Sequence, residues 1–184
     1  MTASSKAPRR LGGSDLSVFP VGLGLMSLSG AYGKSDDAAG IQVIHHAIDR
    51  GVTFLDSSDM YGWGHNETLL GNALKGRRSG VVVATKFGNL GGAGGKFADG
   101  RPYFVISSCE ASLKRLGTDR VELFLVHRPD WLTPAADTAN GLNELVRSGK
   151  IRAAGVSNYT ASQFDLLNTR MERPLATNQL EFHL

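Results

Sequence analysis

The sequence predicts an α/β fold in which helices connect the strands of a parallel sheet, and three observations predict it. Apolar runs of strand length alternate with helical patterns, each pair spanning ~30 residues, as in sheets with helical crossovers. Glycines follow most of the helical patterns and no long linker interrupts them, which indicates one domain. Several apolar runs end directly on a titratable side chain. We count six such strands and five helices.

The N-terminal segment is predicted to hold a tail, a hairpin and the first strand. Residues 1–8 are expected to be a flexible tail, and Arg10–Phe19 has turn residues between two short mixed runs, which favours a β-hairpin. Val21–Leu25 is a glycine-bearing apolar run and is interpreted as the first strand. Its glycines suggest a dinucleotide loop, but Ser27 replaces the third glycine and no helix opens directly after it.

Five segments have apolar residues at helical spacing or a polar residue suited to begin a helix. The predicted helices cover residues 35–50, 66–76, 101–116, 133–149 and 160–169. Ile41, Ile44 and Ile48 form the apolar face of the first helix. Pro134 suits the first turn of the fourth helix, and Thr160 is expected to cap the fifth.

The strands between these helices deliver polar side chains at one end. The run from Val52 reaches Asp56, with Tyr61 five residues later, the run from Val81 ends on Lys86, and the run from Val121 ends on His127. Chemistry in α/β proteins lies in the loops at the carboxyl ends of parallel strands. Any one of these residues could instead be a helix cap, a surface ion pair or a core histidine, but their recurrence at strand ends favours a shared site. The last two strands are predicted at residues 151–156 and 175–180.

Composition excludes several classes of function. Apolar residues are 41% and charged residues 20%, which is typical of a globular protein, and the scattered basic residues do not indicate nucleic acid binding. No apolar stretch is long enough for a membrane span, and residues 1–10 lack the apolar core of a signal peptide. The single cysteine, Cys109, excludes an internal disulfide and is expected to pack in or near the core, so a reducing, cytoplasmic location is expected.

Other candidate sites are not favoured. The histidines His45, His46 and His65 lack partners at metal-ligand spacing, so no metal site is expected, and no G-x-S-x-G nucleophile elbow occurs. Gly95-Lys96 suggests a phosphate loop, but Leu90 and Phe97 stand where that motif needs glycine and Ser or Thr. The glycine-rich stretch 87–100 is better interpreted as a mobile loop on the substrate side.

Five motifs together resemble those of the aldo-keto reductases, over Leu11 to Leu184. They are Phe54-Leu55-Asp56 with Asp59-Met60-Tyr61-Gly62, Ala84-Thr85-Lys86-Phe87-Gly88, Val126-His127-Arg128-Pro129-Asp130, Gly149-Lys150-Ile151-Arg152 with Gly155-Val156-Ser157-Asn158, and Asn178-Gln179. The resemblance implies a (β/α)8 TIM barrel over residues 9–184 that uses NADPH to reduce aldehydes and ketones.

The resemblance also assigns site residues. The family's catalytic Asp, Tyr, Lys and His fall on Asp56, Tyr61, Lys86 and His127. The cofactor-binding positions fall on Gly24, Leu25, Met26, Asp56, Ser157, Asn158 and Gln179, of which the last three would hold the nicotinamide amide. Many relatives have Thr where this chain has Leu25, so only backbone contact is expected there. Tyr32, Trp63 and Trp131 could either pack within loops or form, with His127, an apolar wall for a small carbonyl substrate.

These assignments imply a mechanism in which Tyr61 gives a proton to the carbonyl oxygen. A phenol holds its proton tightly near neutrality, and a neighbouring cation, here Lys86, favours its release. Asp56 would pair with Lys86, and His127 would donate to the carbonyl oxygen and orient it. Two alternatives remain: a regulatory barrel that binds NADPH with little turnover, and an inactive fragment.

The family's seventh and eighth strands would follow Leu184, so the chain is expected to be a partial barrel with the edges of its first and sixth strands open. The segments that bind the cofactor phosphates would also lie there, so the choice between NADPH and NADH stays open. The substrate and the oligomeric state stay open as well.

Overall fold

The N-terminal hairpin is present in the computed structural model, which describes residues 7–91 and 97–182. Strands β1 (Arg9–Arg10) and β2 (Ser17–Val18) pair in antiparallel fashion. Gly12 has a φ of +48°, and a Cβ there would collide with the Ala176 carbonyl oxygen, so the turn requires glycine. Leu16 and Val18 pack with the inward-facing side chains of the sheet, and the hairpin therefore covers the barrel interior.

Six parallel strands form one curled, half-barrel sheet, as predicted. They are β3 (Leu23–Gly24), β4 (Phe54–Asp56), β5 (Val82–Phe87), β6 (Val121–Val126), β7 (Ile151–Ser157) and β8 (Asn178–Gln179). Each strand pairs with the next one along the chain. Every residue of β5 and β6 is buried, because these central strands are covered on both faces. The end strands β3 and β8 are shorter than predicted, since each pairs on one side.

Five α-helices cross over between the strands in the described parts of the chain. They are α1 (Asp37–Asp49), α2 (His65–Ala73), α3 (Pro102–Leu116), α4 (Ala135–Arg147) and α5 (Ala161–Asn168). Thr160 caps α5 in a capping box with Gln163, as predicted. Pro134 lies at the N-cap of α4 rather than in its first turn. A 3₁₀ helix over Met26–Ser29 has no predicted counterpart.

The main core lies between the sheet and the helices. Phe87 and Phe124 stack on neighbouring strands with ring centroids 4.7 Å apart, and Cys109 on α3 is fully buried, as predicted. Helices α2 and α3 approach closely at Gly71, where a Cβ would lie 2.5 Å from the Leu116 carbonyl oxygen. The helices are thereby fixed against the sheet, and the strand ends are held in place. None of the described helices could cross a membrane.

Candidate active site

The carboxyl ends of β4, β5 and β6 bring the four predicted catalytic residues together. Asp56 is the last residue of β4, Lys86 lies near the end of β5, and His127 follows β6 directly. Tyr61 comes from the loop after β4, and its ring meets that of His127 edge to face, with centroids 6.1 Å apart. Their roles stay a prediction, but their spatial grouping is a property of the fold.

Lys86 is the centre of the group and is only 2% exposed. Its Nζ donates to Asp56 Oδ2 at 2.7 Å, to the Ser57 carbonyl oxygen at 2.9 Å and to Tyr61 Oη at 3.2 Å. An ammonium has three donors, and each has an acceptor here. Because a buried charge needs such partners, the geometry favours a protonated Lys86 that touches the phenol oxygen.

The loop that carries Tyr61 is bent by three successive residues with positive φ. Gly62, Trp63 and Gly64 have φ values of 59°, 52° and 96°. A positive φ is unusual for a side chain such as that of Trp63, so the surrounding structure must impose it. The bend leads from Tyr61 directly into α2.

Two buried polar residues at the start of α2, which sequence reasoning missed, anchor the helix that follows this loop. Asn66 accepts from Ser57 Oγ at 2.7 Å and donates to the Leu25 carbonyl oxygen at 2.7 Å. Glu67 is fully buried and accepts from Thr85 Oγ1 at 2.5 Å and from Arg115 Nε at 2.6 Å. A polar pair at a helix start resembles an ordinary cap, so the only available signal was their closeness to Tyr61.

His127 is held through its Nδ1 atom, which lies 3.1 Å from Ser58 Oγ. Burial, with smaller contributions from Lys86 and Arg128, lowers the pKa of His127 to about 4. The imidazole is therefore neutral at physiological pH, and only one of its ring nitrogens carries a hydrogen.

The predicted nicotinamide residues form a connected set at the ends of β7 and β8. Ser157 Oγ donates to the Gln179 carbonyl oxygen at 2.9 Å, and Asn158 Nδ2 donates to the His127 carbonyl oxygen at 3.0 Å. Gln179 Nε2 donates to Asp56 Oδ2 at 3.2 Å. Asn158 adopts a φ of +62°, which turns the chain after β7 towards His127.

Two buried acceptor atoms in this set lack a protein partner within the described residues: Asp56 Oδ1 and Gln179 Oε1. A buried acceptor without a donor is costly, so such atoms indicate a ligand that supplies donors. A nicotinamide carboxamide offers an NH₂ group and its ribose offers hydroxyls. The residues present therefore fit the predicted nicotinamide nucleotide.

The residues after the first strand adjoin this set. Gly24 pairs in register with Asp56, and no atom lies within 4 Å of a Cβ built on it, so open space adjoins the strand there. Leu25 is buried, and its backbone N–H donates to the Asp56 carbonyl oxygen at 2.9 Å. Met26 begins the 3₁₀ helix and is partly buried.

The aromatic residues predicted to line the substrate pocket are exposed. Tyr32, Trp63 and Trp131 are each more than two-thirds exposed, at 79%, 71% and 80%. Trp131 borders a cavity of about 260 Å³ against α5 that Tyr159 also lines. The Gly95-Lys96 pair falls outside the described residues. Within those residues no cluster of side chains could hold a metal ion.

Comparison with known proteins decides the family. The model of the aldo/keto reductase family matches residues 20–184. This chain belongs to the aldo/keto reductase family. Its fold is the N-terminal portion of the family's fold.

Similar solved structures include three bacterial proteins. A glycerol dehydrogenase from Gluconobacter oxydans is 36% identical with a TM-score of 0.83 over 97% of this chain and 55% of its own. The holo form of an aldo-keto reductase from Bacillus halodurans is 30% identical, with a TM-score of 0.85. The match covers 96% of this chain and 58% of that protein. A Klebsiella pneumoniae aldo/keto reductase in complex with NADP and acetate is 28% identical, with a TM-score of 0.80. The match covers 97% of this chain and 59% of that protein. This reductase-family chain thus spans just over half the length of these proteins.

Proposed function

We propose that the protein reduces aldehyde or ketone carbonyls to alcohols with NADPH, and that Tyr61 is the general acid. The observation that carries this proposal is the 3.2 Å contact between Lys86 Nζ and Tyr61 Oη, made by a lysine that is buried and paired with Asp56. Family membership supports the reaction class, and the NADP complex of the Klebsiella relative supports the cofactor.

Tyr61 is suited to give up a proton. Its oxygen accepts from Lys86 and makes no other hydrogen bond within the described residues, so its own O–H can point to a substrate. As the proton leaves, the phenolate that forms faces the ammonium of Lys86, which stabilises it. Asp56 keeps that ammonium charged and fixes its position. General acid catalysis of this kind typically contributes on the order of a hundredfold or more.

His127 is proposed to orient the carbonyl oxygen rather than to titrate. It is neutral, and its ring lies beside that of Tyr61. A hydrogen on Nε2 would allow it to donate to the same oxygen that Tyr61 protonates, and such donors stabilise developing negative charge.

The cofactor, when bound, supplies the hydride for the carbonyl carbon. Gln179 Oε1 would accept from its carboxamide, and Asp56 Oδ1 would accept from a hydroxyl. Ser157 and Asn158 join this group from the end of β7, and residues 24–26 are proposed to border the ribose. Three aromatic side chains are proposed to border the substrate: Tyr32, Trp63 and Trp131. Residues 9–184 are proposed to form one barrel-type domain.

Carbonyl-dependent oxidation of NADPH, compared with NADH, tests the proposal in the 184-residue chain and in the longest available form of the protein. We expect Tyr61→Phe to remove most turnover while cofactor affinity stays near that of the parent. Tyr103→Phe, on the exposed surface of α3, is the matched control and should keep turnover. Parent-like turnover in Tyr61→Phe would overturn the acid assignment, and NADPH binding without turnover in the parent would favour a regulatory role.

A cytoplasmic location is proposed from the single, buried Cys109.

A further inference from the structure

Ser58 lies between a partly buried acid, Asp59, and the histidine of the candidate site. Its Oγ is 3.1 Å from His127 Nδ1 and 3.3 Å from Asp59 Oδ1, and it accepts from the Met60 backbone N–H at 3.3 Å. Ser58 is fully buried, so water does not replace these partners. A hydroxyl has one hydrogen to donate and two lone pairs to accept with, so its three contacts use its capacity completely.

Two proton arrangements satisfy all three contacts. If Asp59 is ionised, Ser58 must donate to Asp59, so His127 must carry its hydrogen on Nδ1 and donate to Ser58. If Asp59 is protonated on Oδ1, the oxygen that contacts Ser58, Asp59 donates to Ser58, Ser58 donates to Nδ1, and the hydrogen of the neutral imidazole is on Nε2. The passage from the second arrangement to the first moves one hydrogen from Asp59 to Ser58 and one from Ser58 to Nδ1, and releases one proton from Nε2.

The charged groups that face Asp59 come from two helices. Burial, with Glu67 on α2 adding to it, raises the pKa of Asp59 to about 7, while Ser58 and Arg115 on α3 oppose the rise. His127 faces Lys86 on β5 and Arg128 in its own loop, and it stays neutral over this range. Both proton arrangements are therefore accessible near neutral pH, without any charge on the imidazole.

We propose that Asp59 acts as a positioning residue that sets, through the Ser58 hydroxyl, which ring nitrogen of His127 carries the hydrogen. The effect of this positioning on catalysis rests on the proposed function. Only protonated Asp59 leaves a hydrogen on His127 Nε2 that can be donated to the carbonyl oxygen of the substrate. Asp59 does not touch the substrate in this scheme. The carbonyl-orienting form of the site is thus the low-pH form, and ionisation of Asp59 converts His127 from a donor at Nε2 into an acceptor.

The tautomer of His127 can be measured without any turnover, by the ¹⁵N chemical shifts of its ring nitrogens in labelled protein. In the parent chain we expect the Nε2–H form well below the pKa of Asp59 and the Nδ1–H form well above it. Asp59→Asn removes the ionisation, so its tautomer ratio should not change over that pH range. Ser58→Ala removes the link, so the tautomer ratio should no longer follow Asp59. Asp49→Asn, at an exposed pair with Arg77, is the matched control and should switch as the parent does.

Each outcome decides the proposal. A single His127 tautomer across the pH range in the parent would overturn it, and so would an unchanged switch in Ser58→Ala. If either variant does not fold, the parent titration alone still gives the decision. In an active form of the protein, kcat/KM should fall as pH rises through the Asp59 ionisation, and this fall should be absent in Asp59→Asn. A tautomer switch in a protein that reduces no carbonyl would refute the proposed function and leave this inference standing.

Discussion

Gln179 Nε2 donates to Asp56 Oδ2 at 3.2 Å, which joins β8 to β4 although 123 residues separate them along the chain. Three strands lie between β4 and β8 in the sheet, so this contact requires the sheet to curl. The curl places the amide of the last strand beside the carboxylate that holds Lys86. Asp56 Oδ1 and Gln179 Oε1, the two buried acceptor atoms that find no partner in the described parts of the chain, belong to this same pair of residues.

Replacing Gln179 should weaken binding of the nicotinamide cofactor. Gln179→Leu removes the acceptor Oε1, and the loss of one neutral hydrogen bond corresponds to about a threefold to tenfold rise in Kd. Fluorescence titration with NADPH measures it. Gln42→Leu, on the exposed face of α1, is the control and should bind as the parent does. Unchanged affinity in Gln179→Leu would remove Gln179 from the cofactor site.

Neutralising Asp56 should destabilise the fold. Asp56→Asn leaves the buried ammonium of Lys86 without its counter-charge, and breaking a buried ion pair costs about 3–5 kcal/mol of unfolding free energy. Urea denaturation measures the change. Asp49→Asn breaks an exposed pair with Arg77 and should cost less than about 1 kcal/mol. Equal losses in the two variants would contradict the importance of burial.

Asp59 and His127 should oppose each other in the pH dependence of stability. Burial raises the pKa of Asp59 from 3.8 to about 7, so the native chain holds a proton that the unfolded chain releases, and stability falls as pH rises through this window. Burial lowers the pKa of His127 from 6.5 to about 4, so the unfolded chain holds the extra proton, and stability rises with pH over nearly the same window.

Asp59→Asn should therefore expose the contribution of His127. Relative to the parent, its unfolding free energy should increase from pH 3.8 to about 7, by ~4 kcal/mol at most, because each pKa unit corresponds to ~1.4 kcal/mol. Denaturation at a series of pH values measures the difference between the two proteins. A difference that is constant with pH would show that Asp59 has an ordinary pKa in the native chain.

The close approach of α2 and α3 makes Gly71 sensitive to substitution. A Cβ on residue 71 would lie 2.5 Å from the Leu116 carbonyl oxygen, which is backbone and cannot move independently, so Gly71→Ala should destabilise by about 1–3 kcal/mol. Gly40→Ala in α1 meets only side-chain ends, of Leu69 at 3.3 Å and of Leu28 at 3.7 Å, and gains helix propensity, so it should be neutral or stabilising. Thermal unfolding of the two variants tests this contrast, and a stabilised Gly71→Ala would contradict the packing described.

The sequence by itself determined the order of strands and helices, several helix caps and the residues at the strand ends. Hydrophobic periodicity and helix capping are local properties of the sequence, so they could predict Thr160 at the start of α5. They could also predict the residues at the ends of β4, β5 and β6, which are Asp56, Lys86 and His127. The motifs also identified the family before any geometry was known.

Only the tertiary structure decided how these side chains are held. The burial of Asn66 and Glu67, the three contacts of Ser58 and the bond between Gln179 and Asp56 depend on the curl of the sheet and on helix packing, which bring together residues far apart in the chain. The shortening of β3 and β8 depends likewise on which neighbours each strand finds. Desolvation, which sets the pKa values of Asp59 and His127, is a property of the surroundings of a group in space, and no local pattern in the sequence encodes it.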